Sequence, residues 1–268
     1  MNAAAAAAGP VPGQRPVAHA EAVMGTVVSF ALRPGPLTSE DLAAAVQAAG
    51  AVLHEADAVF STWDPGSPLS RLRRGEALAA QESGQPPALA EVQAACQQAR
   101  ELSGGWFDPW AMPGGYDPTG LVKGWAVDAA LGTLRRAGLA AALVNGGGDL
   151  AAFGSPDPGE PWRAGVRHPW RGGSLAAVIE VRGAVATSGS YERGAHLMDP
   201  RTGQPACRAA SATVTGPRLA LADALATALA VGGDPVLELI SGLDGHEGYL
   251  IRPDGSESWT SGMAFSVP

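Results

Sequence analysis

The chain contains very little lysine, little cysteine and no long hydrophobic run. Of its 18 lysine and arginine residues only Lys123 is a lysine. Its two cysteines, Cys96 and Cys207, form neither a CxxC motif nor a Cys/His cluster, which excludes a zinc site of that type and a disulfide scaffold. No segment approaches the roughly 18 consecutive apolar residues of a membrane-spanning helix. The sequence therefore predicts no membrane span.

The remaining composition is that of a folded globular protein. Over 268 residues, 46% are hydrophobic and 16% are charged, which is enough apolar material for a full core and excludes disorder along most of the chain. A net charge of −8 repels phosphate backbones, so we expect no nucleic-acid partner. The 36 glycines and 22 prolines indicate many turns.

The N-terminal segment differs in composition from the rest. Residues 1–21 are rich in Ala, Pro and Gly, with no basic start and no cysteine that could carry a lipid. We interpret them as a disordered leader on a cytoplasmic protein, followed by a single domain over residues 22–268.

Hydrophobic periodicity predicts strands interleaved with helices. Strands are expected at 22–32, 140–144, 150–153, 162–167, 175–182, 184–188 and 212–215, and a final hairpin at 247–260. Helices are expected at 39–60 with Ser39 as N-cap, 88–103, 125–137, 218–231 and 235–242, with loops at 61–72 and 104–124. This pattern favours an α+β fold, with mostly antiparallel sheets and packed helices. A G-x-G-x-x-G fingerprint is missing where a strand meets a helix, which does not support a Rossmann cofactor site.

Asp223 and Thr227 form the first candidate site. They are four residues apart in an otherwise apolar helical segment, so they share one helix face. A carboxylate and a hydroxyl on one face suit Mg²⁺, which prefers hard oxygen ligands. Alternatively, Asp223 interacts with the helix dipole and Thr227 bonds to its own helix.

Two glycine-rich segments form further candidates. Lys123 stands between Val122 and Gly124 at the start of a predicted helix, where an ammonium and helix amides can meet an anion together. A solvated lysine in a turn is the alternative. The segment Asn145–Asp149 places three glycines between two strands and lets the backbone approach a ligand closely, although a hairpin turn accounts for part of this pattern.

His196 and Asp199 form the last candidate. They are three residues apart, and a histidine near a carboxylate can act as a general base for a hydroxyl. Alternatively, His196 has no chemical role and Asp199, which precedes Pro200, accepts backbone donors in a turn.

Taken together, a series of short motifs resembles the ApbE-type flavin transferases, the FAD:protein FMN transferases. The resemblance covers about residues 22–232. In order, the motifs are Met24–Thr26, Ser61–Trp63 with Ser67–Leu72, Gly105–Pro109, Asp117–Gly124, Asn145–Asp149, Ser188–Gly189, His196–Gly203 and Ala222–Thr227.

The resemblance implies an ApbE-like fold and a Mg²⁺-dependent enzyme that transfers FMN from FAD to a Thr or Ser hydroxyl of an acceptor protein, releasing AMP. It implies a Mg²⁺ site at Asp223, Thr227 and the backbone carbonyl of Gly120, and it makes His196 the base, with Asp199 as a second catalytic candidate. It places flavin and adenine contacts at Met24, Trp63, Trp106, Phe107, Asp108, Asp117, Lys123 and Met198.

The chain departs from the family pattern at two positions near the site. Ala195 replaces the first of two adjacent histidines, and Arg73 stands where the family often has Asn. Two other functions are alternatives to transfer: hydrolysis of FAD to FMN and AMP, and FAD binding without catalysis.

Overall fold

The computed structural model describes residues 16–76, 86–189, 197–206 and 208–266. Its strands are β1 (Val17–Val23), β2 (Thr26–Arg33), β3 (Ala141–Gly146), β4 (Asp149–Phe153), β5 (Trp162–Arg167), β6 (Leu175–Val181), β7 (Ala184–Ser188), β8 (Met198–Asp199), β9 (Gln204–Pro205), β10 (Ser211–Gly216), β11 (Glu247–Ile251) and β12 (Glu257–Trp259). Its α-helices are α1 (Ser39–Phe60), α2 (Pro68–Arg73), α3 (Pro87–Leu102), α4 (Thr119–Arg136), α5 (Leu219–Gly232) and α6 (Asp234–Ser241), and a short 3₁₀ helix covers Pro109–Ala111.

Eight strands form one antiparallel sheet in the order β1-β2-β3-β4-β7-β10-β11-β12. The hairpins β5-β6 and β8-β9 form two separate two-stranded sheets. The α+β fold with antiparallel sheets and packed helices is thus confirmed. No helix in the described ranges is long and apolar enough to cross a membrane.

Buried side chains cover both faces of the central sheet. Successive residues of a strand point to opposite sides, so neighbouring residues of β3 belong to different cores. Ala142 and Val144 of β3 belong to the larger core, which includes the helices. Ala141 belongs to a second core together with Trp162 and Ile179 of the β5-β6 hairpin. The helical face therefore lies opposite that hairpin. Helix α5 is buried along nearly its whole length, and its many alanines allow close packing.

The start of the chain differs from the sequence expectation. The strand predicted over 22–32 is a hairpin, β1-β2, with a two-residue turn at Met24 and Gly25. Its first strand begins at Val17, inside the segment interpreted as a leader; residues 1–15 lie outside the described part of the chain. The cap of α1 is Thr38, whose hydroxyl accepts the Asp41 N–H at 3.1 Å, and not Ser39.

Two segments predicted as loops contain helices. Helix α2 begins inside the predicted loop 61–72 and ends at Arg73; Ser67 caps it and Pro68 occupies its first turn, a position in which proline's missing N–H is harmless. Helix α4 begins at Thr119 and not at Trp125. The carboxylate of Asp117 accepts the Thr119 N–H at 3.1 Å, and Gly120 and Gly124 are part of the helix. Lys123 therefore lies inside a helix and not in front of one.

Candidate active site

Two hairpin turns meet at one end of the central sheet. Met24 and Gly25 join β1 to β2 with φ of 53° and 67°, and Gly147 and Gly148 join β3 to β4 with φ of 67° and 109°. Because β2 and β3 are antiparallel neighbours, these turns lie side by side. A Cβ at Gly147 would be 2.9 Å from the Thr26 hydroxyl, so glycine is needed there for both conformation and space.

A cleft of about 550 Å³ opens beside these turns, on the helical side of the sheet end. The loop after α1, the segment before α4, the first turns of α4, the end of β7 and one face of α5 also border it. It is lined by all the residues assigned above to flavin, adenine or metal contacts: Met24, Trp63, Trp106, Phe107, Asp108, Asp117, Gly120, Lys123, Met198, Asp223 and Thr227. The fold thus brings residues from distant parts of the sequence together.

Lys123 lies between two carboxylates at the base of the cleft. Its ammonium contacts Asp149 Oδ2 and is 3.4 Å from Asp223 Oδ2. Both aspartates are buried, whereas the lysine side chain is 28% exposed. Asp149 Oδ1 also accepts the backbone N–H of Thr187 at 2.9 Å. Two carboxylates and one ammonium give this cluster a net charge of −1.

The oxygen atoms around Thr227 fit a hard divalent cation. Asp223 and Thr227 occupy successive turns of α5, and the hydroxyls of Thr227 and Ser188 are 3.3 Å apart. A Cβ at Gly120 would be 3.8 Å from the Thr227 hydroxyl and 3.2 Å from the Phe107 ring. The start of α4 therefore approaches Thr227 closely, as ligation by the Gly120 carbonyl would require.

Within the described ranges no three His, Cys, Asp or Glu side chains form a group that could hold a metal. A carboxylate, a hydroxyl and a backbone carbonyl are a different donor set. Mg²⁺ typically keeps several waters and uses one or two carboxylates together with substrate phosphates. The residues present therefore fit Mg²⁺ better than a transition metal that needs several protein side chains.

Aromatic side chains border the other half of the cleft. Trp63 is 95% exposed, on a loop in which the Ser61 hydroxyl accepts the N–H groups of Trp63 and Asp64. Phe107 is buried deeper, and its N–H donates to the Ser103 hydroxyl at 3.1 Å. An exposed indole on a fixed loop offers a flat face for stacking.

The two other acidic candidates form ion pairs with arginines. Asp117 Oδ2 is 2.8 Å from Arg73, and Asp117 Oδ1 accepts hydrogen bonds from the backbone and hydroxyl of Thr119. Asp108 is 2.8 Å from Arg100. Arg73, one of the two departures noted above, thus holds Asp117 at the edge of the cleft.

Of the two catalytic candidates, only Asp199 lies within the residues that the structure describes. His196 and Ala195 fall outside the described residues, although Leu197 and Met198, which follow directly, line the cleft. Asp199 does not line the cleft. Its carboxylate accepts the Arg201 N–H at 2.9 Å and its carbonyl accepts the Gly203 N–H at 2.8 Å, so it stabilises the β8-β9 turn.

Sequence reasoning missed two cleft residues. The sequence predicts Asp149 only as the last residue of a glycine-rich turn, because nothing in the sequence links it to Lys123. Asp57 is part of no motif in the sequence, yet it lines the cleft and its carboxylate accepts the Met24 N–H at 3.2 Å. A regularly spaced helix such as α1 gives no signal that one of its acidic side chains supports a turn in a different element.

Solved structures with the same fold include known flavin transferases. The flavin transferase ApbE from Vibrio cholerae matches with a TM-score of 0.77 and 23% identity, over 91% of this chain and 97% of that one. The ApbE protein from Thermotoga maritima matches with a TM-score of 0.77 and 23% identity, over 92% and 97%. At this level of identity, the likeness shows a shared fold.

Curated relatives match part of the sequence more closely. A FAD:protein FMN transferase from Rhodobacter capsulatus is 39% identical over 145 residues, covering 50% of this chain and 27% of that protein. One from Klebsiella pneumoniae is 31% identical over 152 residues, covering 52% and 43%. The alignments thus cover less than half of each of these relatives. A model of the ApbE family matches residues 24–114 and 115–250, which is most of the chain. On this match, and with the fold in agreement, the chain belongs to the ApbE family.

Proposed function

We propose that this protein transfers FMN from FAD to a Ser or Thr hydroxyl of an acceptor protein, in a Mg²⁺-dependent reaction that releases AMP. The observation that carries the proposal is the arrangement in one cleft of Lys123, Asp223 and Thr227 beside the aromatic side chains of Trp63 and Phe107. The names of the relatives support the same activity. The cleft volume falls in the range of roughly 300–1,000 Å³ typical of small-molecule sites.

The reaction exchanges the phosphoanhydride bond of the FAD pyrophosphate for a phosphoester bond to the acceptor. The acceptor hydroxyl oxygen attacks the phosphorus of the FMN half of FAD, and a new P–O bond forms. The bond from that phosphorus to the bridging oxygen breaks, and AMP leaves with that oxygen. The hydroxyl proton passes to a base. Negative charge accumulates on oxygens of both phosphates, so positioning and electrostatic stabilisation do most of the catalytic work.

The residues at the base of the cleft can stabilise the negative charge that accumulates on the phosphate oxygens. Lys123 offers an ammonium that is partly exposed to the cleft, where it can meet a phosphate oxygen. Asp223, Thr227 and the Gly120 carbonyl would hold Mg²⁺. Bound there, Mg²⁺ would supply Lewis-acid neutralisation of pyrophosphate charge. Trp63 and Phe107 would stack against flavin or adenine rings and fix the substrate's orientation.

His196 is our proposed base for the acceptor hydroxyl. Its imidazole accepts a proton near neutral pH, and the two residues after it border the cleft. Asp199 is the weaker candidate, since its carboxylate is buried in a turn with a backbone donor.

Hydrolysis of FAD to FMN and AMP uses the same site with water in place of the acceptor hydroxyl, and storage of FAD needs neither metal nor base. The test incubates the protein with FAD and Mg²⁺, alone and with a candidate acceptor protein that carries a target Ser or Thr. AMP release and flavin fluorescence of the denatured acceptor are measured. AMP only with acceptor, accompanied by covalent flavin, supports transfer. AMP without acceptor makes the protein a hydrolase, and no AMP in either arm makes it a binder.

Dinucleotide preference provides a second test. The absence of a Rossmann fingerprint and the presence of the ApbE motifs lead us to expect tighter binding of FAD than of NAD. Flavin fluorescence during titration measures the FAD affinity, and competition by NAD measures the alternative. Equal or tighter binding of NAD would contradict the proposed substrate.

A further inference from the structure

We propose that Asp149 is a positioning residue for Lys123, and that through this lysine it sets the affinity of the Asp223–Thr227 site for a divalent cation. The inference rests on the proposed function for its biological meaning. Its test does not, because cation binding is measured without turnover.

Asp149 is fixed by the sheet. It is the first residue of β4, directly after the Gly147–Gly148 turn, and is 4% exposed. One of its oxygens accepts the Thr187 N–H from β7, which leaves the other directed at Lys123. The ammonium is therefore held by a carboxylate whose own orientation is determined by two neighbouring strands.

Lys123 is shared unequally between its two carboxylates. It is in direct contact with Asp149 but 3.4 Å from Asp223, which lies across the cleft base on α5. A lysine has a flexible four-carbon stem, so its ammonium moves readily to whichever carboxylate attracts it most. With Asp149 present, the ammonium stays on the sheet side. Without the Asp149 charge, Asp223 is the one remaining carboxylate of this cluster that can attract the ammonium.

The charge balance predicts the direction of the effect. The intact cluster has a net charge of −1, which attracts a cation. Asp149→Asn brings the net charge to zero and moves Lys123 toward Asp223, where the ammonium competes with the metal. Lys123→Gln brings the net charge to −2 and removes the competitor. The double variant returns the net charge to −1.

The experiment measures Mn²⁺ binding to the full chain by the loss of the free Mn²⁺ signal in electron paramagnetic resonance. Asparagine keeps an oxygen that can accept the Thr187 N–H, so Asp149→Asn retains the hydrogen bond of the strand. We expect Asp149→Asn to weaken Mn²⁺ binding by about tenfold or more. Lys123→Gln should tighten it, and the double variant should recover at least the wild-type affinity. Asp244→Asn, at an exposed turn outside the cleft, is the matched control and should bind as wild type does.

A purely structural role for Asp149 predicts a different order, with the double variant binding no better than Asp149→Asn. That order, or unchanged binding in Asp149→Asn, would overturn the inference. If Asp149→Asn does not fold, the comparison of Lys123→Gln with wild type decides: tighter binding supports the inference, and equal or weaker binding overturns it. If the wild type and the variants bind Mn²⁺ in the expected order, but the wild type forms neither AMP nor covalent flavin, only the proposed function is contradicted.

Discussion

Gly124 of α4 lies directly against the backbone of Leu219 in α5. A Cβ atom added at Gly124 would be 2.6 Å from the Leu219 carbonyl oxygen and 2.9 Å from the Ala220 Cα. The two helices are therefore closer than any side chain at this position would allow. Because Lys123 is the neighbouring residue on α4 and Asp223 follows one turn into α5, this approach sets the separation of two charged groups in the cleft.

Gly124→Ala should separate the two helices and destabilise the protein. We expect a loss of about 1–3 kcal/mol in the free energy of unfolding, because backbone atoms must move to accommodate the methyl group. Gly132→Ala on the same helix is the matched control. There, the nearest atom to an added Cβ is the flexible end of Arg136 at 3.3 Å, and better helix propensity should stabilise by up to about 1 kcal/mol. Urea unfolding measures both, and equal effects would contradict the packing argument.

Asp223→Ala should abolish Mg²⁺-dependent activity while the fold survives. The substitution removes the carboxylate we assign to the metal, and Ala fits an α5 that is already rich in alanine. AMP release is measured across a Mg²⁺ titration, with circular dichroism as the check on folding. Full activity at limiting Mg²⁺ would show that the metal lies elsewhere.

The carboxylate of Asp128 caps α5 and should make stability depend on pH. It accepts the N–H groups of Leu219 and Ala220 at 2.9 and 3.0 Å. Burial raises the pKa of Asp128 above its usual range, although these N–H groups and Arg218 act in the opposite direction. The folded protein thus holds this proton more tightly than the unfolded chain does. The stabilising contribution is fully present below the unfolded pKa of about 3.9, and is lost as pH rises through the folded pKa.

Asp128→Asn removes this titration, since an amide stays neutral. The difference in unfolding free energy between wild type and Asp128→Asn should therefore shift in favour of the variant as pH rises from about 4 toward neutrality. Denaturant unfolding at a series of pH values measures the difference. A difference that is constant, or that shifts toward wild type with rising pH, would be inconsistent with a raised pKa.

His196→Ala should lower turnover and leave FAD affinity nearly unchanged. Removal of a general base typically costs about 10²–10⁴ in rate. The variant is assayed for AMP release with acceptor and for FAD binding by fluorescence. Normal turnover would exclude His196 as the base. Loss of FAD binding would instead give it a role in positioning the substrate.

Local patterns in the sequence predicted the fold class and most element positions, but not every boundary. Helix α4 was predicted to begin too late because Gly120 and Gly124 are poor helix formers in isolation. In the structure, Gly124 is needed for the contact with α5, so tertiary packing outweighs local propensity. Met24 shows the same limit: a non-glycine residue with positive φ conceals a hairpin turn inside an apparently continuous strand.

The cleft residues were predictable to different degrees. Asp223 and Thr227 are visible as a pair because one helix face carries both. The contact of Asp149 with Lys123 joins a strand to a helix, and the pairing of Arg73 with Asp117 joins residues 44 positions apart. Neither leaves a periodic trace in the sequence, so only the three-dimensional arrangement shows them.

The single lysine of the sequence lies in the cleft, so its chemical modification reports on whether the cleft is occupied. An amine-selective acylating reagent can modify only the Lys123 side chain and the α-amino group of the chain, since every other basic side chain except histidine is an arginine. Because Lys123 remains partly exposed within the cleft, the mass added at that residue would follow occupancy of the cleft directly. Ligands, metal ions and acceptor proteins can thus be screened for protection of one amine, without an engineered label and without any assay of turnover.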